Sequence, residues 1–380
     1  MRGDPAAARS APRGPVAPGF SAVADAFADV LAGARGGAAF SVVRDGVPLV
    51  ELHGGLADPV TGRPWTRDTV AVLFSGTKGL AATACAALAD RLDPDAPVVR
   101  YWPEFAAGGK ATATVAQVLA HTVGLPYVDP EPATADALDD RACAVALARQ
   151  TPLWEPGSRV AYHALTWGNL VAELVRRATG GADPRVVLEE VVGRVPGARV
   201  FLATAPPEPA RIVRAPGYRI STFLDDPRRR RAVERMYRVL LDDADAVNSP
   251  GWYRSGALAG AAVAGAPAMA RAYAALTDPA RSPVRPAALA RAVRTHATGT
   301  DAVNDRPVRF GLGYELADRL GTFGPEPVAF GHSGAGGGRH GAWPERRIGF
   351  SFLTNEMRAE DVDDRAARLL GALHGCLRAA

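Results

Sequence analysis

A serine and a lysine three positions apart are the residues of this chain best suited to chemistry. Ser75 and Lys78 lie in "FSGTKGLAATACAALADRL", whose composition predicts a helix that begins near Ser75. Residues three apart share a helix face, so the hydroxyl and the amine can meet. A serine attacks a carbonyl when a base takes its proton, and burial lets lysine be that base. The helix N-terminus would also favour a developing oxyanion.

The rarity of lysine strengthens this interpretation. Of 44 basic residues only Lys78 and Lys110 are lysines, and arginine cannot lose its proton in a protein. Eleven serines and two lysines predict about 0.06 chance matches to this spacing. The alternative is that Ser75 only caps the helix and Lys78 extends to the surface. Lys110, in the loop "EFAAGGKATAT", is expected to be a surface residue.

Two later segments could supply partners. Tyr162 follows a loop in "EPGSRVAYHALTWGNL", where a phenol could accept or relay a proton, or simply pack in the core. The stretch "FGHSGAGGG" contains His332 and Ser333, and its glycines would let a substrate approach main-chain N–H groups. A glycine-rich turn with an incidental histidine is the alternative for that stretch.

The ordered set of Ser75-x-x-Lys78, Tyr162 and His332-Ser333-Gly334 resembles the serine β-lactamase and penicillin-binding-protein superfamily, in particular its class C-type branch of esterases and acyltransferases. Further similar segments include "VAQVLAHTVGLP", "RFGLGYEL" and "FGHSGAGG", so the resemblance runs from about residue 20 to residue 377. It implies that Ser75 forms an acyl-enzyme and that Lys78 and Tyr162 share acid and base duty. The oxyanion hole and substrate-binding residues would be Ser75, His332, Ser333, Gly334, Ala335 and Trp154.

Two departures from the family pattern narrow the substrate. Ala164 stands where peptide-directed members carry an asparagine, and His332 stands where they carry the lysine of K-T-G. Both changes argue against efficient β-lactam or D-Ala-D-Ala chemistry. We therefore expect carboxylesterase-type hydrolysis of a small ester, amide or thioester. The alternatives are acyl transfer to an amine or alcohol that forms an amide or ester in natural-product biosynthesis, a β-lactamase or D-Ala-D-Ala peptidase, and a sensor that traps acyl groups without turnover.

A different serine is the nucleophile in a rival hypothesis. "GHSGAG" nearly spells the G-x-S-x-G elbow, which would make Ser333 the attacking residue. The elbow requires a helix directly after the serine, whereas "GGGRHGAWPERRIGF" has no helical period.

The order of predicted elements indicates a mixed α+β, β-lactamase-like fold. Apolar runs joined by Asp45-Gly46 predict a hairpin near the N-terminus, and strand patterns return after about residue 309. Helical patterns fill the middle, and a final amphipathic stretch could cover the sheet. We predict a disordered tail at 1–18, an antiparallel sheet domain of 19–74 with 305–380, and an inserted helical domain at 75–304, with the active site between them.

Composition excludes several other classes of function. The net charge is +4, the one dense arginine run lacks interleaved aromatics, and no apolar run could span a bilayer. The three cysteines and seven histidines form no disulfide or zinc pattern. We expect no metal, no cofactor, no nucleic-acid or membrane partner and, without an apolar signal segment, a cytoplasmic location. His121 is expected to fix a loop, and Tyr127 and Trp154 could wall the pocket.

Overall fold

The computed structural model describes residues 11–132, 137–220, 225–227, 229–242 and 245–379. Within these residues the strands are β1 (Gly37–Arg44), β2 (Val47–Asp58), β3 (Arg63–Pro64), β4 (Ala71–Val72), β5 (Val200–Phe201), β6 (Val213–Arg214), β7 (Val263–Ala264), β8 (Ala297–Thr300), β9 (Pro307–Phe310), β10 (Glu315–Leu316), β11 (Phe330–Ser333), β12 (Arg339–Trp343), β13 (Ile348–Thr354) and β14 (Glu356–Met357).

One antiparallel sheet built from both ends of the chain dominates the described residues. Its nine strands run in the order β3-β2-β1-β13-β12-β11-β10-β9-β8. Phe40 of β1 lies between Leu52 of β2 and Phe352 of β13, so N-terminal and C-terminal strands are direct neighbours. The predicted hairpin turn is confirmed: Asp45 and Gly46 both have positive φ, at 53° and 80°, as a two-residue turn requires. The predicted α+β fold is also confirmed.

Helices cover both faces of this sheet. The described helices are α1 (Ser21–Leu31), α2 (Gly76–Ala87), α3 (Val115–Leu119), α4 (Asp140–Arg149), α5 (Thr166–Ala178), α6 (Pro184–Gly193), α7 (Arg230–Asp242), α8 (Pro250–Ser255), α9 (Ala266–Ala275), α10 (Pro286–Ala292) and α11 (Arg365–Ala379). Helices α1 and α11 share an apolar cluster with one sheet face, which includes Phe27, Phe350 and Leu373. The final amphipathic stretch therefore covers the sheet, as predicted.

The opposite sheet face carries α2 and α9 and leads into the helical region. A side chain at Gly349 of β13 would lie 2.1 Å from the main-chain nitrogen of Ala274, so α9 rests directly on the sheet backbone. A larger apolar cluster joins α2 to α4, α5 and α6 through residues such as Leu80, Leu147 and Leu170. Helix α2 thus lies between the sheet and the helical region.

Three features differ from the sequence-based expectations. Residues 11–18 are ordered beside β2, where Arg13 pairs with His53 and Val16 pairs with Val50, so they belong to the folded domain rather than to a disordered tail. Residues 1–10 lie outside the described residues. Strand β8 of the main sheet precedes the predicted boundary at 305, and α9 packs on the sheet although it falls inside the predicted helical insertion.

All three cysteines are buried thiols. Across the described ranges, every helix is too short or too polar to reach from one side of a membrane to the other.

Candidate active site

Ser75 sits at the entrance to α2 on a constrained backbone. Strand β4 leads into Phe74, whose φ of 48° lies in the left-handed region that side-chain-bearing residues avoid. Ser75 itself has helical dihedrals, and its side chain makes no capping hydrogen bond to the helix. The alternative that Ser75 serves as a side-chain cap is therefore wrong. Its hydroxyl faces Lys78 instead.

Lys78 is fully buried one turn along α2. Its Nζ donates to the carbonyl oxygens of Ala164 at 2.7 Å and Ala259 at 2.8 Å, and it lies 3.1 Å from Ser75 Oγ. Burial lowers the pKa of this amine from 10.5 to about 7, and the negative charge of Glu315 acts in the opposite direction. The alternative of an extended surface lysine is wrong.

The three contacts of Lys78 indicate what a neutral amine would do there. A neutral amine has two N–H bonds and one lone pair, and the two carbonyls accept only from N–H groups. With both N–H bonds directed at Ala164 and Ala259, the lone pair is left for the Ser75 hydroxyl. The site therefore holds the amine in the orientation that a proton acceptor for Ser75 needs.

Tyr162 lies beside this pair. Its ring centroid is 5.0 Å from Lys78 Nζ, and its hydroxyl is buried without a direct hydrogen bond of ordinary geometry to any described residue. Burial raises the pKa of the phenol well above its usual value, and the Ser75 side chain is close enough to oppose that effect in part. Asp301 holds the backbone, since its Oδ2 accepts from the Tyr162 N–H at 2.7 Å.

The end of β11 forms another wall of the site. A side chain at Gly334 would lie 2.5 Å from the Leu73 carbonyl, so the loop after Ser333 runs directly beside the residues that precede Ser75. The main-chain N–H groups of Ser75 and Ala335 donate to no group among the described residues. They are available to a substrate oxygen.

A buried ion pair supports this glycine loop from below. The Arg365 guanidinium donates to the carbonyl of Gly336 at 2.9 Å and pairs with Asp363 at 2.7 Å. A side chain at Gly337 would lie 2.1 Å from an Asp363 carboxylate oxygen, and one at Gly336 would lie 2.7 Å from Met357. Close approach, together with positive φ, requires glycine at both positions.

His332 does not contact the cavity. Its ring is fully buried against α2, where a side chain at Gly79 would lie 3.2 Å from His332 Cβ. Nδ1 lies 2.9 Å from the Ser333 carbonyl, which requires a proton on that nitrogen. Burial lowers the pKa of the imidazole to about 4. His332 is therefore neutral near pH 7 and supports the strand from its buried face.

Ser333 lines the cavity but does not fit the nucleophile-elbow hypothesis. Its hydroxyl hydrogen-bonds to Glu315 Oε1 at 3.0 Å, and its N–H donates to Glu315 Oε2 at 2.8 Å. The chain then turns through the glycine loop into β12, so a strand follows where the elbow needs a helix. The elbow hypothesis for Ser333 is therefore wrong.

Glu315 and Arg306 are site residues that the sequence analysis missed. Glu315 is a buried carboxylate on β10. Burial raises its pKa, but the His332 ring when it is protonated, the Arg306 charge and the Ser333 hydrogen bonds lower the pKa overall. The Arg306 guanidinium lies over the Tyr162 ring, 6.0 Å from the centroid, and pairs with Glu360. The segment "RFGLGYEL" had been noted for its family resemblance, but only the strand pairing places Glu315 beside Ser333.

The remaining candidates do not line the Ser75 cavity. His121 is buried; its Nδ1 accepts from the main-chain N–H of His163 at 3.1 Å, and its ring packs on Tyr162, which fits the predicted loop-fixing role. Trp154 and Tyr127 border the apolar cluster that contains Tyr162, and neither lines the Ser75 cavity. Lys110 is fully buried and donates to the carbonyls of Ala107 and Gln150, so its prediction as a surface residue is wrong.

The Ser75 cavity is narrow and polar. Its free volume is about 80 Å³, and its lining includes Ser75, Tyr162, Arg306, Glu315, Ser333 and Ala335. In the described part of the chain, no group of three or more His, Cys, Asp or Glu side chains is arranged to hold a metal ion. The groups at the cavity suit acyl transfer to a serine hydroxyl.

Known proteins of one family are similar to this chain. A family model described as Beta-lactamase matches residues 23–373. The esterase/beta-lactamase LipL of Mycobacterium tuberculosis (strain ATCC 25618 / H37Rv) is 42% identical over 176 residues, which are 46% of this chain and 40% of that protein. The matched stretch therefore spans less than half of that relative.

Two solved structures match over nearly their whole length. A family VIII carboxylesterase has a TM-score of 0.87 and 30% identity, covering 96% of this chain and 99% of that one. A penicillin-binding protein homologue from Caulobacter crescentus has a TM-score of 0.85 and 29% identity, with coverage of 96% and 99%.

Proposed function

Because the chain belongs to the beta-lactamase family, we propose that it is a serine hydrolase that cleaves carboxylic esters through an acyl-enzyme on Ser75. The observation that carries the proposal is the buried Lys78 amine. Two carbonyls accept from its N–H bonds, and its lone pair is left for the Ser75 hydroxyl. Similarity to a family VIII carboxylesterase and to an esterase/beta-lactamase supports the choice of ester hydrolysis.

Lys78 is the resting base in this proposal. Its pKa of about 7 leaves much of the amine neutral at neutral pH, whereas the pKa of Tyr162 is raised, which keeps the phenol protonated. The Ser75 proton moves to Lys78 Nζ as Oγ bonds to the ester carbonyl carbon. The carbonyl oxygen becomes an oxyanion that accepts from the N–H groups of Ser75 and Ala335.

Tyr162 then acts as the proton relay. The carbon–oxygen bond to the leaving alcohol breaks, and the alkoxide takes the phenol proton while the phenol is resupplied from the Lys78 ammonium. A water oxygen then bonds to the acyl carbon and gives a proton to the base. The bond between that carbon and Ser75 Oγ breaks, Oγ takes the proton back from the base, and the carboxylic acid leaves. A buried protonated phenol close to both Ser75 and Lys78 suits this role.

Ala164 contributes its main chain rather than its side chain. Its carbonyl holds Lys78, while its methyl group is buried and cannot bind a substrate amide. This supports an ester substrate over a peptide, in agreement with the interpretation drawn from the sequence.

Intact-mass spectrometry with p-nitrophenyl butyrate tests the proposal. We expect one butyryl group on the wild type, located on Ser75 by peptide mapping, and none on Ser75→Ala. Ser333→Ala is the matched control and should still acylate. Absence of any adduct together with absence of nitrophenol release would refute the proposal. A single burst of nitrophenol equal to the enzyme concentration would instead show an acyl-trapping sensor. Transfer of the butyryl group to added amines or alcohols would show an acyltransferase.

A further inference from the structure

The main chain around Tyr162 is held by partners outside its own segment. Tyr162 lies in neither a helix nor a strand, so the buried N–H groups there need partners elsewhere in the fold. His121 serves both neighbours: its carbonyl accepts from the Ala161 N–H at 3.1 Å, and its Nδ1 accepts from the His163 N–H at 3.1 Å. The Tyr162 N–H itself donates to Asp301 Oδ2 at 2.7 Å. Asp301 is therefore the direct polar partner of the relay residue.

Both oxygens of the Asp301 carboxylate are used. Only 1% of this residue is exposed, and a buried carboxylate is costly unless it is hydrogen-bonded. Oδ1 accepts from the N–H groups of Val303 at 2.8 Å and Asn304 at 2.7 Å. Hydrogen bonds to an ionised acceptor are stronger than those between neutral groups. One oxygen thus closes the turn that Asp301 begins, and the other is left for Tyr162.

The turn of residues 301–306, which joins β8 to β9, has further bonds that fix its position. The Asp301 N–H donates to the Arg306 carbonyl at 2.8 Å and closes the turn at its base. The Ala302 N–H donates to the Val160 carbonyl at 2.9 Å, which ties the turn to the segment that precedes the relay tyrosine. These contacts determine where the Asp301 carboxylate lies.

We propose that Asp301 is a positioning residue for the reaction: through the Tyr162 main chain it keeps the phenol where it can pass a proton from Lys78 to the leaving group. The inference rests on the proposed ester hydrolysis. No hydrogen bond of ordinary geometry from a described residue holds the Tyr162 hydroxyl, so the position of the phenol depends on packing and on how its main chain is held. A proton relay works over hydrogen-bond distances, and a misplacement of about 1 Å can cost about 100-fold in rate.

Asp301→Asn separates the two roles of the carboxylate. The amide oxygen can accept from the two N–H groups of the turn, which leaves the NH2 group facing the Tyr162 N–H, and two donors cannot pair. For ethyl butyrate, followed by acid release in a pH-stat, we expect kcat per folded molecule to fall about 10- to 100-fold and KM to change about twofold or less. The loss in kcat/KM should be smaller for p-nitrophenyl butyrate, because nitrophenolate leaves without a proton and ethoxide does not.

The same substitution in Tyr162→Phe shows whether Asp301 acts through the phenol. There it should lower kcat only about twofold or less, because the relay is already absent. Asp305→Asn is the matched control, since it makes the same chemical change in the same turn. The exposed Asp305 side chain pairs with Arg229 at 2.8 Å, so its loss should leave kcat within about twofold of the wild type.

Hydrogen exchange provides a measurement that needs no turnover. Peptides that contain Tyr162 should exchange faster in Asp301→Asn than in the wild type or in Asp305→Asn. If Asp301→Asn does not fold, Asp301→Ser takes its place. A serine hydroxyl can still accept from the Val303 N–H, but it has no second oxygen for Tyr162.

Three results would overturn the inference. They are a kcat for ethyl butyrate that stays within about twofold of the wild type in Asp301→Asn, an equal loss from this substitution with and without the phenol hydroxyl, and unchanged exchange around Tyr162. Absence of wild-type turnover of both esters would refute ester hydrolysis itself, whereas the exchange measurement tests the Asp301 contact alone. The two proposals therefore fail distinguishably.

Discussion

The pH dependence of ester cleavage should report the protonation of Lys78. With a pKa of about 7, roughly a tenth of the amine is neutral at pH 6 and roughly nine-tenths at pH 8, so kcat/KM should rise about tenfold over that interval. An ordinary lysine, with a pKa of 10.5, would be neutral about two-thousandfold less often at pH 6 to 7. The burial of Lys78 thus sets both the pH at which kcat/KM rises and the size of that rise, which is the acid limb of the pH profile.

Other titrating groups near Ser75 should not produce a change in kcat/KM between pH 6 and 8. Burial lowers the pKa of His332 and of His163 to about 4 and that of His340 to about 3, so these rings are neutral well below pH 6. The raised pKa of Tyr162 places its ionisation on the alkaline side. A midpoint near pH 7 therefore belongs to Lys78.

Glu315→Gln provides the perturbation that tests this assignment. The Glu315 carboxylate raises the pKa of Lys78, so removing its charge should move the acid limb to lower pH. Tyr162→Phe should lower the plateau and leave the midpoint in place, because it removes the relay and keeps the base. The assay is kcat/KM for p-nitrophenyl butyrate from pH 5 to 9, followed at a wavelength where nitrophenol and nitrophenolate absorb equally. A flat profile between pH 6 and 8, or a midpoint that moves to higher pH in Glu315→Gln, would refute the reasoning.

Two stability predictions concern residues packed away from the reaction. Lys110→Met should leave the carbonyls of Ala107 and Gln150 without their donor and lower the free energy of unfolding by about 1–3 kcal/mol. Activity per folded molecule should not change. Urea denaturation measures the first effect and active-site titration the second, and a loss of kcat would contradict the prediction. Gly79→Ala should destabilise the folded protein by about 1–3 kcal/mol, because the new Cβ would lie 2.0 Å from the Tyr273 hydroxyl. Adding Tyr273→Phe to the same chain should restore part of the lost stability. An unchanged melting temperature in Gly79→Ala would show that α2 does not lie this close to Tyr273.

The sequence predicted those parts of the site whose geometry is local. Helical periodicity alone places Lys78 on the face of Ser75, and the scarcity of lysine drew attention to Lys78, whose Nζ lies 3.1 Å from Ser75 Oγ. Lys110 is the other of the two lysines, but its position in a loop led to a surface prediction. A loop has no periodic face from which burial can be predicted, and Lys110 is in fact buried. Both lysines are in fact buried donors to carbonyls.

Long-range pairing supplied what the sequence could not. Glu315 reaches Ser333 because β10 lies beside β11, and Arg306 reaches Tyr162 across 144 positions of sequence. No local pattern marks such contacts, since each depends on strand order and register in the folded sheet. The ordering of residues 11–18 beside β2 has the same cause: main-chain pairing requires no particular side chain.

The support beneath the glycine loop limits how this enzyme can be redesigned. Gly336 rests against Met357 and Gly337 against Asp363. A larger residue would therefore displace Met357 at the first position and the buried Asp363–Arg365 ion pair at the second. Variation in acyl specificity is therefore expected from another wall, where Tyr237 and Leu320 line a cavity of about 420 Å³ that adjoins the Ser75 cavity. A library directed at that wall should yield folded variants, whereas one directed at the glycines should yield mostly insoluble protein.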